Sequence, residues 1–344
     1  MNQFSFAAPT TVEEAASLLA QTGESRLMAG GVDLVHEMKR GIRSPELVVH
    51  LTGIADLEAI RLGDHTMEIG ALAKIQSLES NELVLAHAPL LAAAAREVAT
   101  PQLRAMGTVA GNILQRPQCW YYRDPDSFCL RKGGQHCHAV SGDNRYHAIL
   151  GGGPCHIVCP SDLAPALLAL DASVAITGPA GGERIVPLAD LFVGPKVDPH
   201  NEHVLTQGEI ITRIIVPTRG AAGTGAGDST ESVFLKARER TAWDFALASV
   251  STVVARAADG TVRSASLVLG GVAPNPWIAA EAADSLIGSS LEDASIEAAA
   301  DISVRDARPL RDNAYKVDLT RRLVTEALRQ IRSLRDNRRT GDRP

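Results

Sequence analysis

Aromatic residues are scarce, 4% of the chain, so any core must be built from Ala, Val, Leu and Ile. Positive charge is not in excess either. There are 34 Lys and Arg against 40 Asp and Glu, a formal net charge of −6, which argues against general binding to nucleic acid or anionic membrane surfaces. No apolar run approaches the ~18 residues that a membrane-spanning helix needs, so no membrane insertion is expected. The first residues, Met1 to Thr11, lack a basic start, a long apolar run and a cleavage site, so the folded chain is expected in the cytoplasm unless a signal-bearing partner exports it. No Ser/His/Asp triad or paired-carboxylate motif stands out, and no catalytic residue is assigned. Cysteine is absent everywhere except between Cys119 and Cys159.

What is present reads as α+β in three parts. Thr11-Val12-Glu13-Glu14 opens a helix with a hydroxyl cap, and Ala15, Leu18 and Leu19 form its apolar face. A strand at Ser25 to Met28, a helix over Val32 to Lys39 and a strand at Leu47 to Leu51 complete a first unit, residues 1–55. Residues 56–220 carry short strands at 58–62, 66–70, 173–177 and 210–216, with helices at 75–80, 89–99 and 162–170. Gly220 to Gly227 is rich in Gly and Ala without periodicity and reads as a linker. A third unit, 228–335, has strands at 232–237, 246–255 and 264–270 and closes on an amphipathic helix bearing Leu319, Leu323, Ala327, Ile331 and Leu334. The basic end, 336–344, reads as a frayed tail.

Two glycine turns invite a ligand. Met28-Ala29-Gly30-Gly31-Val32-Asp33-Leu34 sits between a strand and a helix, where bare backbone amides favour an anion such as a pyrophosphate. It does not match the G-x-G-x-x-G fingerprint or the phosphate-binding P-loop, so a nicotinamide-binding Rossmann domain is not supported. Gly107-Thr108-Val109-Ala110-Gly111-Asn112, shortly after Thr100, offers glycines, a hydroxyl and an amide suited to phosphate or ribityl contacts; a structural turn is the plainer reading. In Pro160-Ser161-Asp162-Leu163, Ser161 or Asp162 caps the following helix, or Asp162 accepts from ligand hydroxyls.

The five cysteines, Cys119, Cys129, Cys137, Cys155 and Cys159, fall in one stretch together with His136, His138, His147 and His156. An odd count without a secretory signal argues against a disulfide framework. Thiols gathered this way suit a metal, and without a C-x-x-C knuckle the spacing leaves zinc and iron–sulfur both open.

Five segments together resemble one family, the FAD-binding subunits of xanthine dehydrogenase-type molybdenum hydroxylases. They are the run 28–34, the run 100–112, the run 160–167, Lys236-Ala237-Arg238-Glu239-Arg240, and Leu269-Gly270-Gly271-Val272-Ala273-Pro274. The resemblance implies the two-part FAD fold of the vanillyl-alcohol-oxidase type followed by an α+β C-terminal domain of the CO dehydrogenase flavoprotein kind. It implies FAD contacts from Met28 to Leu34, from Thr100, Gly107, Thr108, Gly111 and Asn112, from Asp162 and from Lys236; Val32 stands where the family usually has Thr. Within 115–160, Gln115 to Asp124 resembles the aldehyde oxidoreductase branch, whose FAD subunit also carries a [4Fe–4S] cluster. On that likeness Cys119, Cys129, Cys137 and Cys155 are the ligands and Cys159 is a spare buried thiol. The hydroxybenzoyl-CoA reductase branch has a comparable cluster but a less similar insertion.

The implied function is electron relay. A molybdenum-cofactor large subunit oxidises substrate, a [2Fe–2S] small subunit passes electrons on, and FAD delivers them to an external acceptor. Two rivals remain at this stage: a self-contained flavin oxidase, and a zinc-stapled interaction module with no redox role.

Overall fold

The computed structural model describes residues 1–218 and 228–340, with side chains as far as Leu334 at the C-terminal end. The proposed linker at 220–227 lies outside the described residues, as do the last four residues.

Among the described residues twelve strands form three separate sheets. The first is parallel, with β1 (Ser5–Ala7) and β2 (Ser25–Met28) on either side of β3 (Leu47–His50). The second is antiparallel in the order β4-β5-β8-β6-β7, where β4 is Ile60–Leu62, β5 Thr66–Gly70, β6 Ser173–Thr177, β7 Glu183–Pro187 and β8 Ile210–Pro217. The third is an antiparallel meander of β9 (Ser229–Ala237), β10 (Ala248–Arg256), β11 (Val262–Gly270) and the short β12 (Trp277–Ile278). The α+β expectation therefore holds. Parallel pairing in the first sheet requires crossovers, and the helix Val12–Gln21 supplies the one from β1 to β2. Thr11 caps that helix through the amide of Glu14, and Glu14 accepts from the amide of Thr10.

Each sheet has its own apolar core, made mainly of small and branched aliphatics as the scarcity of aromatics demands. The middle core packs Met67, Ile69, Leu91, Leu163, Val174 and Ile214, each at 0% exposure, and each such burial contributes about 1.5–3 kcal/mol. Phe234 of β9 and Val268 of β11 join this core, so the third sheet is docked on the second. The final helix, Tyr315–Thr340, lies on β9 and β10 and buries Val324, Ala327, Leu328 and Ile331. It runs past Arg335, where a frayed tail was expected, because no Gly or Pro interrupts it before Gly341. Among the described residues no helix is long and apolar enough to cross a membrane.

The cysteine-bearing segment, read from sequence as part of the second unit, bridges all three. Its start is tied to the first unit by Arg123, which donates to Asp33 Oδ1 at 2.7 Å, and by Tyr122, whose hydroxyl donates to Glu37 at 2.6 Å. Its end is tied to the third: Ile149 and Leu150 donate to Val272 O at 2.9 and 3.1 Å and belong to the C-terminal core. Lys316, fully buried, donates to the carbonyls of Tyr146, His147 and Gly271, and Asn313 donates to those of His147 and Ala148.

Candidate functional site

A cavity of about 540 Å³ opens where the first two units meet and reaches the loop between β9 and β10. Its size lies in the range of small-molecule and cofactor sites. The whole run from Met28 to Leu34 lines it, as do Gly107, Thr108, Gly111, Asn112 and Asp162.

The first turn is an open backbone cradle. The helix expected from Val32 begins at Leu34, after a turn that Val35 N closes by donating to Gly31 O at 3.1 Å. Among the described residues the amides of Gly30, Gly31, Val32 and Asp33 have no acceptor within the protein. Four uncommitted amides in a row at the start of a helix, with Gly31 at φ +70°, leave this turn free to meet an anion. Gly30 is required by the close approach of the second turn, since a Cβ there would stand 2.0 Å from Met106 O. Val32, where a hydroxyl was the familial expectation, is 45% exposed and adds no polar contact, so the cradle rests on backbone alone.

The second turn is built by caps. Thr100 accepts from Leu103 N at 3.4 Å and Thr108 accepts from Gly111 N at 3.2 Å, each starting a short helix. Asn112 Oδ1 accepts from the Ser161 hydroxyl at 2.6 Å, and Ser161 Oγ in turn accepts from Ala164 N at 2.9 Å. Ser161, not Asp162, is thus the cap of the helix Leu163–Ala169. Asp162 is buried against the cavity, where desolvation pushes its carboxyl up and Lys236 pulls it down.

Three residues on the expected contact list have other duties. Thr100 does not line the cavity; it caps the helix Pro101–Met106. Thr100→Ala is accordingly expected to cost about 1 kcal/mol in denaturant unfolding and to leave flavin affinity unchanged in a flavin titration. Lys236 also lies off the cavity and reaches it through Asp162, donating to Oδ2 at 2.7 Å and to Glu97 O at 2.9 Å. Asp33 lines the cavity, but its carboxylate faces the cysteine segment, accepting from Arg123, from Arg116 N at 2.8 Å and from Gln118 at 3.2 Å.

Pattern reading missed the cationic side of the cavity. Arg26, Arg43 and Arg116 all line it, and burial together with the charges of Arg43 and Arg116 lowers the Arg26 pKa. Such mutual repulsion is relieved by an anionic ligand. Isolated arginines at 26, 43 and 116 give no periodic signal, so nothing in the sequence singled them out. Trp243 and Phe245 also line the cavity from the loop after β9. Trp243 N donates to Ala99 O at 3.3 Å, and both residues adopt left-handed backbone, φ 65° and 44°. Strain of this kind, about 1–3 kcal/mol per residue, clusters at ligand sites. Backbone amides, three arginines and a buried carboxylate fit a flavin dinucleotide: amides and arginines for the pyrophosphate, Asp162 for hydroxyl or N–H donors.

The cysteines separate into four and one. Cys137 and Cys155 act on one another most strongly: Cys137, with Arg131, holds the Cys155 thiol down, while Cys155 and burial push the Cys137 thiol up. Burial raises the Cys119 thiol to about 11, and Cys155 and Cys129 add to that rise, so these thiols lie within electrostatic reach of one another. His147 Nε2 stands 3.2 Å from Cys119 Sγ, and burial and Lys316 lower the His147 pKa to about 4. Cys159 has other surroundings: its amide donates to Ala273 O at 2.9 Å, and burial, with Asp162 and Glu202 nearby, pushes its thiol up to about 12. Among the described residues no three His, Cys, Asp or Glu side chains converge on a single-ion site. A cluster sets a different requirement, because each iron takes its own thiolate and the sulfurs surround a cage.

Comparison with known proteins shows the family. Residues 2–219 match the family described as the FAD binding domain in molybdopterin dehydrogenase, and residues 233–331 match the CO dehydrogenase flavoprotein C-terminal domain. The chain is 32% identical to the aldehyde oxidoreductase FAD-binding subunit PaoB of Escherichia coli, covering 97% of this chain and 99% of that one. It is 30% identical to the carbon monoxide dehydrogenase medium chain of Hydrogenophaga pseudoflava, covering 95% and 96%. A chain in the solved structure of carbon monoxide dehydrogenase from that organism, in a form lacking the Mo-pyranopterin moiety, superposes with a TM-score of 0.74 at 28% identity over 95% of this chain and 96% of that one. With the family match spanning well over half of the residues and both parts of the fold accounted for, the chain belongs to the FAD-binding subunits of the molybdenum hydroxylase family.

Proposed function

We propose that this chain is the FAD-carrying electron-transfer subunit of a heteromeric molybdenum-dependent oxidoreductase of aldehyde or xanthine type, and that Cys119, Cys129, Cys137 and Cys155 hold a [4Fe–4S] cluster. Its partners are a molybdenum-cofactor large subunit, where substrate is oxidised, and a [2Fe–2S] small subunit. Electrons leave for an external acceptor, and the complex works in the cytoplasm. The units of the chain are 1–55, 56–220 with the insertion 115–160, and 228–335.

The observation that carries this reading is the cradle of four free amides beside three arginines, next to a segment in which Cys119, Cys129, Cys137 and Cys155 act on one another electrostatically and Cys159 has Asp162 and Glu202 beside it instead. FAD, when bound, accepts electrons singly or in pairs and so connects one-electron clusters to a two-electron acceptor. The chain's part is to bind and orient. The amides of Gly30 to Asp33 and the arginines hold the pyrophosphate. Asp162, fixed by Lys236, accepts from the polar chain or ring. Arg123 and Asp33 tie the cradle to the cysteine segment, which fixes the separation of the two redox centres.

The test is one purified sample of the chain analysed for flavin, iron and zinc together with its absorbance spectrum. Flavin bands over a broad iron–sulfur shoulder, with about four irons per chain, are expected. Zinc without iron would refute the cluster, and a colourless protein would refute both cofactors.

A further inference from the structure

A second cavity, of about 330 Å³, lies between the cysteine segment and the loop that joins β9 to β10. Cys119 lines it, and Pro160, Asp244 and Phe245 line both it and the large cavity. A molecule held there would touch the surroundings of the proposed cluster and of the flavin at once.

We propose that this cavity binds a neutral, planar aromatic electron acceptor of the quinone class. The inference rests on the reading of the chain as a flavin electron-transfer subunit. Its walls are aromatic: Trp120 and Tyr146 meet edge to face with centroids 5.4 Å apart and planes at 65°, and Phe245 is 49% exposed at the wall shared with the flavin cavity. Such rings offer flat faces to a flat ligand. Its polar groups suit a carbonyl oxygen. Arg240 gives Nε and Nη2 to Asp244, leaving Nη1 without a hydrogen-bond partner among the described residues. The charges nearly balance, with Glu239 and Asp244 against Arg240, and Glu239 is already engaged by the Tyr146 hydroxyl at 2.9 Å. A lining of this kind does not favour the polyanionic pyrophosphate of a nicotinamide nucleotide. In the reaction a quinone gains two electrons and two protons, its two C=O groups become C–OH, and both pairs come from two-electron-reduced flavin, which returns to its oxidised form.

The test uses the FAD-loaded full chain. Calorimetric titration of the oxidised protein with 1,4-naphthoquinone is expected to show binding that weakens at least ten-fold in Trp120→Leu and in Tyr146→Leu, two residues that line this cavity and not the larger one, and that Trp120→Phe largely restores. After photoreduction of the flavin, the naphthoquinone concentration giving half-maximal reoxidation should rise at least ten-fold relative to that of ferricyanide in the same variants. Unchanged naphthoquinone binding in both Leu variants would overturn the proposal. So would loss of FAD from them, since the cavity would then belong to the flavin. A wild-type chain that takes up no FAD defeats the reading of function instead, and quinone titration of that chain still decides whether the site exists.

Discussion

Cys137→Ser is expected to abolish the iron–sulfur signal and the iron content of the chain, whereas Cys159→Ser leaves both unchanged. Cys137 and Cys155 shift each other's thiols, and Cys119 feels the charges of Cys155 and Cys129. Removing any one thiol from such a set leaves an iron without its ligand. Cys159 is fully enclosed and interacts with Asp162 and Glu202, with no other thiol among its neighbours. Iron analysis and the visible spectrum of the two variants side by side provide the measurement. Cluster loss in Cys159→Ser with retention in Cys137→Ser would reverse the ligand assignment.

Lys236→Met is expected to cost about 3–5 kcal/mol of stability at neutral pH, because it leaves the buried Asp162 carboxylate without its partner. The side chains are 1% and 5% exposed, so water cannot replace the lost ammonium. Flavin affinity should fall as well, since Asp162 lines the cavity and loses the donor that fixes it. The pH dependence has a definite sign. Burial already raises the Asp162 carboxyl, and Lys236 opposes that rise. Without Lys236 the folded carboxyl goes higher still, so between its unfolded value, about 3.9, and that raised value the folded variant binds more protons than the unfolded chain. Its stability therefore increases as pH falls through the raised value, and the deficit against wild type narrows. Denaturant unfolding at a series of pH values is the measurement, and a deficit independent of pH would rule out an uncompensated Asp162. Asp162→Asn in the same chain should recover much of the loss by removing the stranded charge.

The cradle and the cysteine segment are tied together at Asp33. Asp33 belongs to the cradle by its backbone and to the insertion by its side chain. Around it, Glu37 and Glu202 meet Tyr122, Arg116, Arg123 and Arg131 in one largely buried network. A buried charge network holds together only while every member keeps its partner. The cradle and the cysteine segment are therefore parts of one structural unit.

By itself the sequence determined the alternation of helix and strand, the α+β class, the two glycine turns and the gathering of cysteines. Each of these is a local signal: the apolar spacing that buries Ala15, Ala16 and Leu19 on one helix face, the Thr caps, the glycines, the crowding of thiols between 119 and 159. Only the tertiary structure decided what the side chains do. It took Thr100 and Lys236 off the cavity wall, gave the helix cap to Ser161, and brought Arg26, Arg43 and Arg116 to one cavity. It also turned Asp33 toward partners 83 to 90 residues further along the chain. Contacts over such separations depend on how independently formed units pack, and packing leaves no trace in the spacing of neighbouring residues.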